Sequence, residues 1–368
     1  WLCSTASNPS IVERFTYGGP DAVEHNQCNQ LTRHDDPAGT LRWPDYNLLG
    51  SPISEIRRFL LEPVTPHWPM PEPGRDELLE PAEYASSWLF NALGETLEQT
   101  DAMGNSQGFA QTIAGQLKAA SVTLADSEDT ETLISDIRYN AFDQVEQETA
   151  GNGVISHYQY DSRDGRLTEL KAAIANQSPL QELHYDYDPV GNILHIEDAA
   201  QPVQFFANQR IEPINRYRYD TLYQLIEATG REVKTDASHG PALPELQGLP
   251  PDPNQIAHYT QTYDYDTAGN LLHMRHVGAQ PFTRNMLVAP DSNRSLPEGE
   301  VDVDFDTGFD ANGNLLQLVR GQDLRWDARN QLREVTAVKR DDGPDDMERY
   351  IYDGGGQRCR KIRSAQSR

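Results

Sequence analysis

The chain is poor in cysteine. Only Cys3, Cys28 and Cys359 occur in 368 residues, and no pair has CxxC spacing. An odd, sparse count excludes a disulfide framework; a Cys3–Cys28 bridge stays open. No apolar run approaches the roughly 18–20 residues that a membrane helix needs, so direct membrane insertion is not expected. Cationic residues are also scarce. Lys+Arg is 31 against 57 Asp+Glu, a net charge of −26. That argues against nucleic acid and anionic membrane as partners, because both are polyanions that recruit basic patches. No stretch carries a sustained helical stripe; Ile53 to Leu61 and Gln201 to Arg210 are the best helical candidates. HExxH, P-loop, GxSxG and GxGxxG motifs are all missing.

Hydrophobic residues are only 37% of the chain, close to the border where chains fail to bury enough surface to fold. Order must come from pattern, and the 16 tyrosines, 26 glycines and 24 prolines supply one. An aromatic residue, Asp or Asn, two variable residues, Gly, a polar residue and then aliphatics recur along the chain. The clearest copies run from Tyr187 to Leu194, from Tyr265 to Leu272 and from Phe309 to Leu316. Looser copies start at Phe90, Tyr139, Tyr160, Tyr219, Trp326 and Tyr352, and Ile113 to Leu117 keeps only the second half.

Elementary chemistry makes this unit a hairpin. The aromatic ring ends one strand, where it packs on a pleated surface. The Asp or Asn side chain bonds backbone N–H groups two residues on. Gly supplies the positive φ that closes the turn. The aliphatic pair opens the return strand. About ten units of two strands predict an all-β fold, a curved, spiralling sheet of β-hairpins.

The predicted organisation has five parts. Residues 1–61 form an N-terminal β segment, with one candidate unit at Phe15 to Gly18. Residues 62–80 are a proline-rich surface loop, and 81–237 are the repeat array. Residues 238–255 are a second proline-rich loop, and 256–368 continue the array. The chain starts at Trp1 without Met or a signal sequence and reads as a fragment of something longer.

The candidate chemical groups have structural readings. Val301 to Asp306 alternates apolar and acidic residues, which predicts a strand with three carboxylates on one solvated face. An EF-hand would need Gly at its sixth position and Glu at its twelfth; from Asp302 those positions hold Thr307 and Gly313. Asp341 to Asp346 reads as an acidic hairpin turn. His273 and His276 would point to opposite faces of a strand, which opposes joint zinc ligation. Asp188, Gly191, Asp266 and Gly269 read as turn formers. No catalytic, cofactor-binding or metal-ligating residue is assigned.

The repeat resembles that of RHS/YD-repeat proteins. Several segments are similar to the C component of bacterial insecticidal toxin (Tc) complexes: Tyr185 to Leu194, Phe205 to Pro213, Tyr219 to Glu232, Arg33 to Gly39, Gln99 to Asn105, Gly115 to Lys118 and Gly151 to Val154. The resemblance runs from about residue 25 to about residue 363. It implies a β-ribbon that winds into a hollow shell with a B component. That shell would hold a cytotoxic C-terminal segment, cut free by an aspartyl autoprotease in a terminal core. Nothing before Arg368 corresponds to that core or to the toxin, so the resemblance assigns no catalytic residue here.

The reading is therefore a secreted, non-enzymatic, toxin-encapsulating shell segment. Its expected partners are the B component and the encapsulated toxin segment of the parent chain. An extracellular adhesion or carbohydrate-binding YD module and the shell of a contact-dependent antibacterial RHS toxin stay open, with an enzyme behind them. Roughly twenty strands at ~4.8 Å spacing make a ribbon about 95 Å wide, or a ring about 30 Å across. A passenger of ~300 residues needs about 50 Å, so the ribbon would need other repeats to enclose it.

Overall fold

The computed structural model describes residues 10–206, 209–233 and 256–365. Among the described residues strand accounts for 52% and helix for 2%, which makes the fold all-β. The registers of the named strands are antiparallel, and most consecutive strands pair in series, the order expected of linked hairpins. The chain divides into two compact units. Unit 1 comprises residues 1–135 and 324–368, and unit 2 comprises residues 136–323. The divisions fall within the repeat array rather than at the proline-rich stretches.

In unit 1 the strands Arg14–Tyr17, Leu31–Asp36, Gly39–Arg42, Ser54–Phe59, Tyr84–Phe90, Thr96–Thr100, Ser106–Gln111 and Leu117–Thr123 pair one after the next. The C-terminal hairpins of the same unit are built from Leu332–Val338, Asp346–Tyr352 and Arg358–Ser364. In unit 2 a series runs from Val145–Ala150 through Val154–Tyr160, Leu167–Ile174, Gln181–Tyr187 and Ile193–Asp198. It continues through Ile214–Tyr219, Leu225–Val233, Ile256–Tyr265, Leu271–Val277 and Phe282–Val288.

Several repeats carry a bulge just after the turn, on the return strand. Asp186 pairs with His195 but Tyr187 pairs with Ile193, so Leu194 is the extra residue. Asp264 pairs with His273 and Tyr265 with Leu271, leaving Leu272 over. The second aliphatic residue of the motif is thus the bulged one. A bulge of this kind bends its strand and raises the local right-handed twist.

Four readings of the sequence are corrected. Ile53 to Leu61 is not helical: Ser54–Phe59 is a strand held on both sides, by Gly39–Arg42 and Tyr84–Phe90. The Gln201 to Arg210 stretch holds the strands Gln204–Phe206 and Gln209–Ile211, which pair with each other. Val301 to Asp306 is not a strand: Asp304 folds the chain by accepting the Thr307 N–H (2.9 Å) and hydroxyl (2.7 Å), and its carbonyl accepts the Gly308 N–H (2.7 Å). The 62–80 stretch is no plain surface loop. It contains the helix Glu72–Asp76, and its Trp68 is completely buried with Leu60 and Leu79 as a small core. The second proline-rich stretch, 238–255, lies outside the described residues.

Candidate functional site

Two arrangements concentrate the polar chemistry, and both are built for holding chain segments together. The first is the repeat turn. Asp188 follows the strand Gln181–Tyr187, and its Oδ1 accepts the N–H groups of Val190 (3.0 Å), Gly191 (2.8 Å) and Asn192 (2.8 Å). Its Oδ2 accepts the Asn192 side-chain amide at 2.7 Å. Asp266 with Asn270, and Asp310 with Asn314, repeat the bonds to the N–H groups two and four residues on and to the asparagine amide. The Asn270 amide and the turn N–H groups hold the Asp266 carboxyl below its ordinary range. At Asp188 desolvation pushes the other way, and the hydrogen bonds outweigh it. Gly191 and Gly269 close their turns at φ 106° and 87°.

The repeat aromatic has a task that its strand propensity does not reveal. The Tyr187 hydroxyl donates to the carbonyl of Leu167 at 2.8 Å, and Tyr160 reaches Val145 at 2.9 Å. Tyr265 reaches Leu225 at 2.9 Å and Tyr352 reaches Leu332 at 2.8 Å. In each case the acceptor is the first residue of the preceding unit's return strand. A tyrosine therefore staples its own hairpin to the one before it. Turns are linked too. Arg166 donates to the carbonyls of Asp188 (2.9 Å) and Pro189 (3.2 Å), and Gln144 donates to that of Gly165 (2.8 Å).

The second arrangement is a buried ion network in unit 1. The strand Leu31–Asp36 places Arg33, Asp35 and Asp36 inside, with exposures of 3%, 0% and 0%. Arg33 reaches Asp35 at 2.8 Å, Glu72 at 2.9 Å and Asp76 at 2.8 Å. Arg75 pairs with Asp35, and the Thr40 hydroxyl donates to Asp35 at 2.6 Å. Asp36 is the hub. Its Oδ1 caps Ala38 N–H (2.8 Å) and Gly39 N–H (2.9 Å), and its Oδ2 accepts from Arg57 (2.8 Å) and from Gly354 N–H (3.0 Å). Burial works against the charge on Arg57, but Asp36 outweighs it and holds the guanidinium above its ordinary range. Charges taken out of water stay tolerable only when paired in this way.

C-terminal hairpins close onto this network. Arg360 donates to the Leu60 carbonyl at 3.0 Å, pairs with Glu80 and lies 4.8 Å from the Phe59 ring centre. Arg329 pairs with Glu13. The Cys359 thiol lies 3.7 Å from Arg57, and burial pushes its pKa up. Within the Arg33 to Gly39 segment the sequence carries no pattern that reveals the network. The only available signal was a run of charged residues at strand spacing, with no local partner.

No family model matches the chain. Toxin subunit YenC1 of Yersinia entomophaga is 40% identical over 370 residues, which cover 97% of this chain and 38% of that subunit. YenC2 of the same organism is 38% identical over 380 residues, covering 98% and 39%. The chain is homologous to these toxin subunits. It spans less than two-fifths of their length. The fold agrees: a TcdB2–TccC3 complex superimposes with a TM-score of 0.89 at 36% identity, over 99% of this chain and 18% of that one. The Photorhabdus luminescens Tc holotoxin pore matches with a TM-score of 0.88 at 36% identity, over 99% and 17%.

In this homologue of toxin subunits the remaining candidate groups have local partners. His273 and His276 face opposite sides of the strand Leu271–Val277. His273 contacts Asn285 at 2.9 Å, and the buried His276 contacts Glu232 at 3.0 Å. Asp345 accepts the Arg340 N–H at 2.8 Å and Asp346 pairs with the Arg340 guanidinium at 2.7 Å, which closes the acidic turn. Asp302 pairs with Arg320 at 2.7 Å. Cys3 lies outside the described residues, so its pairing with Cys28 does too. Among the described residues no cluster of three His, Cys, Asp or Glu side chains is arranged to hold a metal, and no helix is long and apolar enough to cross a membrane.

Proposed function

We propose that this chain is a shell segment of a Tc-type insecticidal toxin complex, secreted with it. It assembles with a B-type subunit and helps to enclose the C-terminal toxin segment of its parent. It performs no catalysis itself. The observation that carries this reading is the match over 99% of the chain, at a TM-score of 0.89, to a TcdB2–TccC3 complex. The physical design supports it. Serial hairpins stapled through tyrosine hydroxyls and turn carbonyls make a continuous sheet from short strands without a thick core. Homology to toxin subunits also favours this reading over an adhesion module.

The test is to produce the parent chain with its B-type subunit and challenge the complex with protease. The toxin segment should survive in the complex and be digested when either shell chain is left out. Equal digestion with and without the B-type subunit would overturn the proposal.

A further inference from the structure

In unit 1 three turns stand side by side along one edge of the sheet: 47–51, 91–95 and 112–116. A Cβ on Gly94 would lie 3.0 Å from Leu49 Cδ1, and one on Gly115 would lie 2.6 Å from Glu95 Oε1. The tips of these turns are apolar and open to solvent. Relative exposure is 92% for Leu48, 79% for Leu93 and 108% for Ile113.

The turn-forming residue in this row is also neutral. Asn47 Oδ1 accepts the N–H groups of Leu49 and Ser51, both at 2.9 Å. Asn91 Oδ1 accepts those of Leu93 (2.9 Å) and Glu95 (3.0 Å). Thr112 Oγ1 accepts those of Ala114 (3.3 Å) and Gln116 (3.2 Å). Aspartate does the same work with the same geometry at Asp101, Asp188, Asp266 and Asp310. The turn chemistry does not require a neutral residue, so the missing charge is a property of the surface. The one acid beside the tips, Glu95, is turned onto the Asn91 amide. The opposite edge has the reverse character. There the 101–105 turn starts with Asp101, and the next connection carries Asp126, Glu128 and Asp129, all exposed.

An apolar ridge whose tips carry no charge, on a chain of net charge −26, is a surface that loses little when water is removed from it. We infer that the ridge formed by Leu48, Leu93 and Ile113 is a docking seam for the B-type subunit of the complex. This rests on the function proposed above. A second copy of this chain is the poorer occupant, because two bodies of this charge repel each other. Structural neighbours of the chain include complexes of TcdB2 with TccC3.

The experiment measures binding of the chain to a purified TcdB2-type subunit for the unsubstituted chain, for a Leu93→Glu/Ile113→Glu variant and for a Met103→Glu control. Met103 is equally open, 81% exposed, but sits on the acidic edge. Circular dichroism and thermal melting verify that each variant is folded; Leu93→Ser/Ile113→Ser replaces the double variant if it is not. The seam predicts at least a tenfold loss of affinity for the double variant and less than a twofold change for the control. Binding by the unsubstituted chain and the double variant alike overturns the seam and leaves the shell reading standing. Failure of the unsubstituted chain to bind overturns both. Self-association that the double variant abolishes, with binding to the B-type subunit unchanged, assigns the ridge to a second copy and overturns the seam.

Discussion

The backbone N–H of Gly354 donates to the Oδ2 atom of Asp36 at 3.0 Å, across 318 positions of sequence. Asp36 also neutralises Arg57, so one carboxylate ties a C-terminal turn to the N-terminal strands of unit 1. Asp36→Ala would leave Arg57 buried and uncompensated. The expected cost is about 3–5 kcal/mol, read as a lower denaturant midpoint. A midpoint within error of the unsubstituted chain would contradict the hub role.

Gly354 is required by space. A Cβ there would run into the imidazole of His34, so Gly354→Ala must displace that ring or lift the turn off Asp36. Overpacking of this kind costs about 1–3 kcal/mol. Gly355 meets no such crowding from another strand, and Gly355→Ala should leave thermal unfolding of the protein nearly unchanged. Equal losses in both variants would count against the close approach at Gly354.

The turn positions can be tested in unit 2. Gly191→Val or Gly269→Val should destabilise by about 1 kcal/mol or more, because a β-branched residue is strained at positive φ. Asp188→Ala removes the acceptor of three backbone N–H groups and should cost about 0.5–2 kcal/mol, as lost helix caps do. Melting temperatures indistinguishable from the unsubstituted protein in all three would refute the turn geometry.

Tyr187→Phe keeps the ring and removes only the staple to Leu167. About 0.5–1.5 kcal/mol should be lost, seen as a lower midpoint in chemical denaturation. Tyr17 is 61% exposed, and the same change there should shift nothing.

Acid should loosen the array through its turns. The carboxyls of Asp101, Asp188, Asp266 and Asp310 are held below their ordinary range, and the Arg163 guanidinium pulls Asp161 down to about 2. A group whose folded pKa is depressed contributes stability that is present above its unfolded value, near 3.8 for Asp, and is lost as pH falls through the folded value. The urea midpoint should therefore hold from neutral pH to about pH 5 and fall between about pH 4 and pH 2. An Asp188→Asn/Asp266→Asn variant should show a shallower fall over that window. Identical slopes would remove the turn aspartates as the cause.

The local rules of the repeat could be read directly, since Asp188 with Gly191, and Asp266 with Gly269, carry their turn chemistry within five residues. The strand reading failed at Val301 to Asp306, where strict alternation was present but Asp304 could satisfy Thr307 and Gly308 locally and so broke the extended run. Trp68 was hidden by its prolines. These exclude a central strand, yet they do not prevent the segment from covering Leu60 and Leu79. The ion network was out of reach for a different reason. Asp36 and Gly354 share no periodicity, and nothing near either residue records that the two ends of unit 1 meet.

The linked turns also give the ribbon a reading direction. The side chain that follows the closing residue of one turn lies across the next turn, as Gln144 does at Gly165 and Arg166 does at Asp188. What fits at one turn is thus decided by the residue carried in the turn before it. Units that look interchangeable as sequence are not interchangeable as neighbours. Exchanging two of them would leave every strand intact and mismatch the junctions on either side of each. New repeats can enter such a ribbon only as copies of adjoining pairs, or with compensating changes in the unit that precedes them.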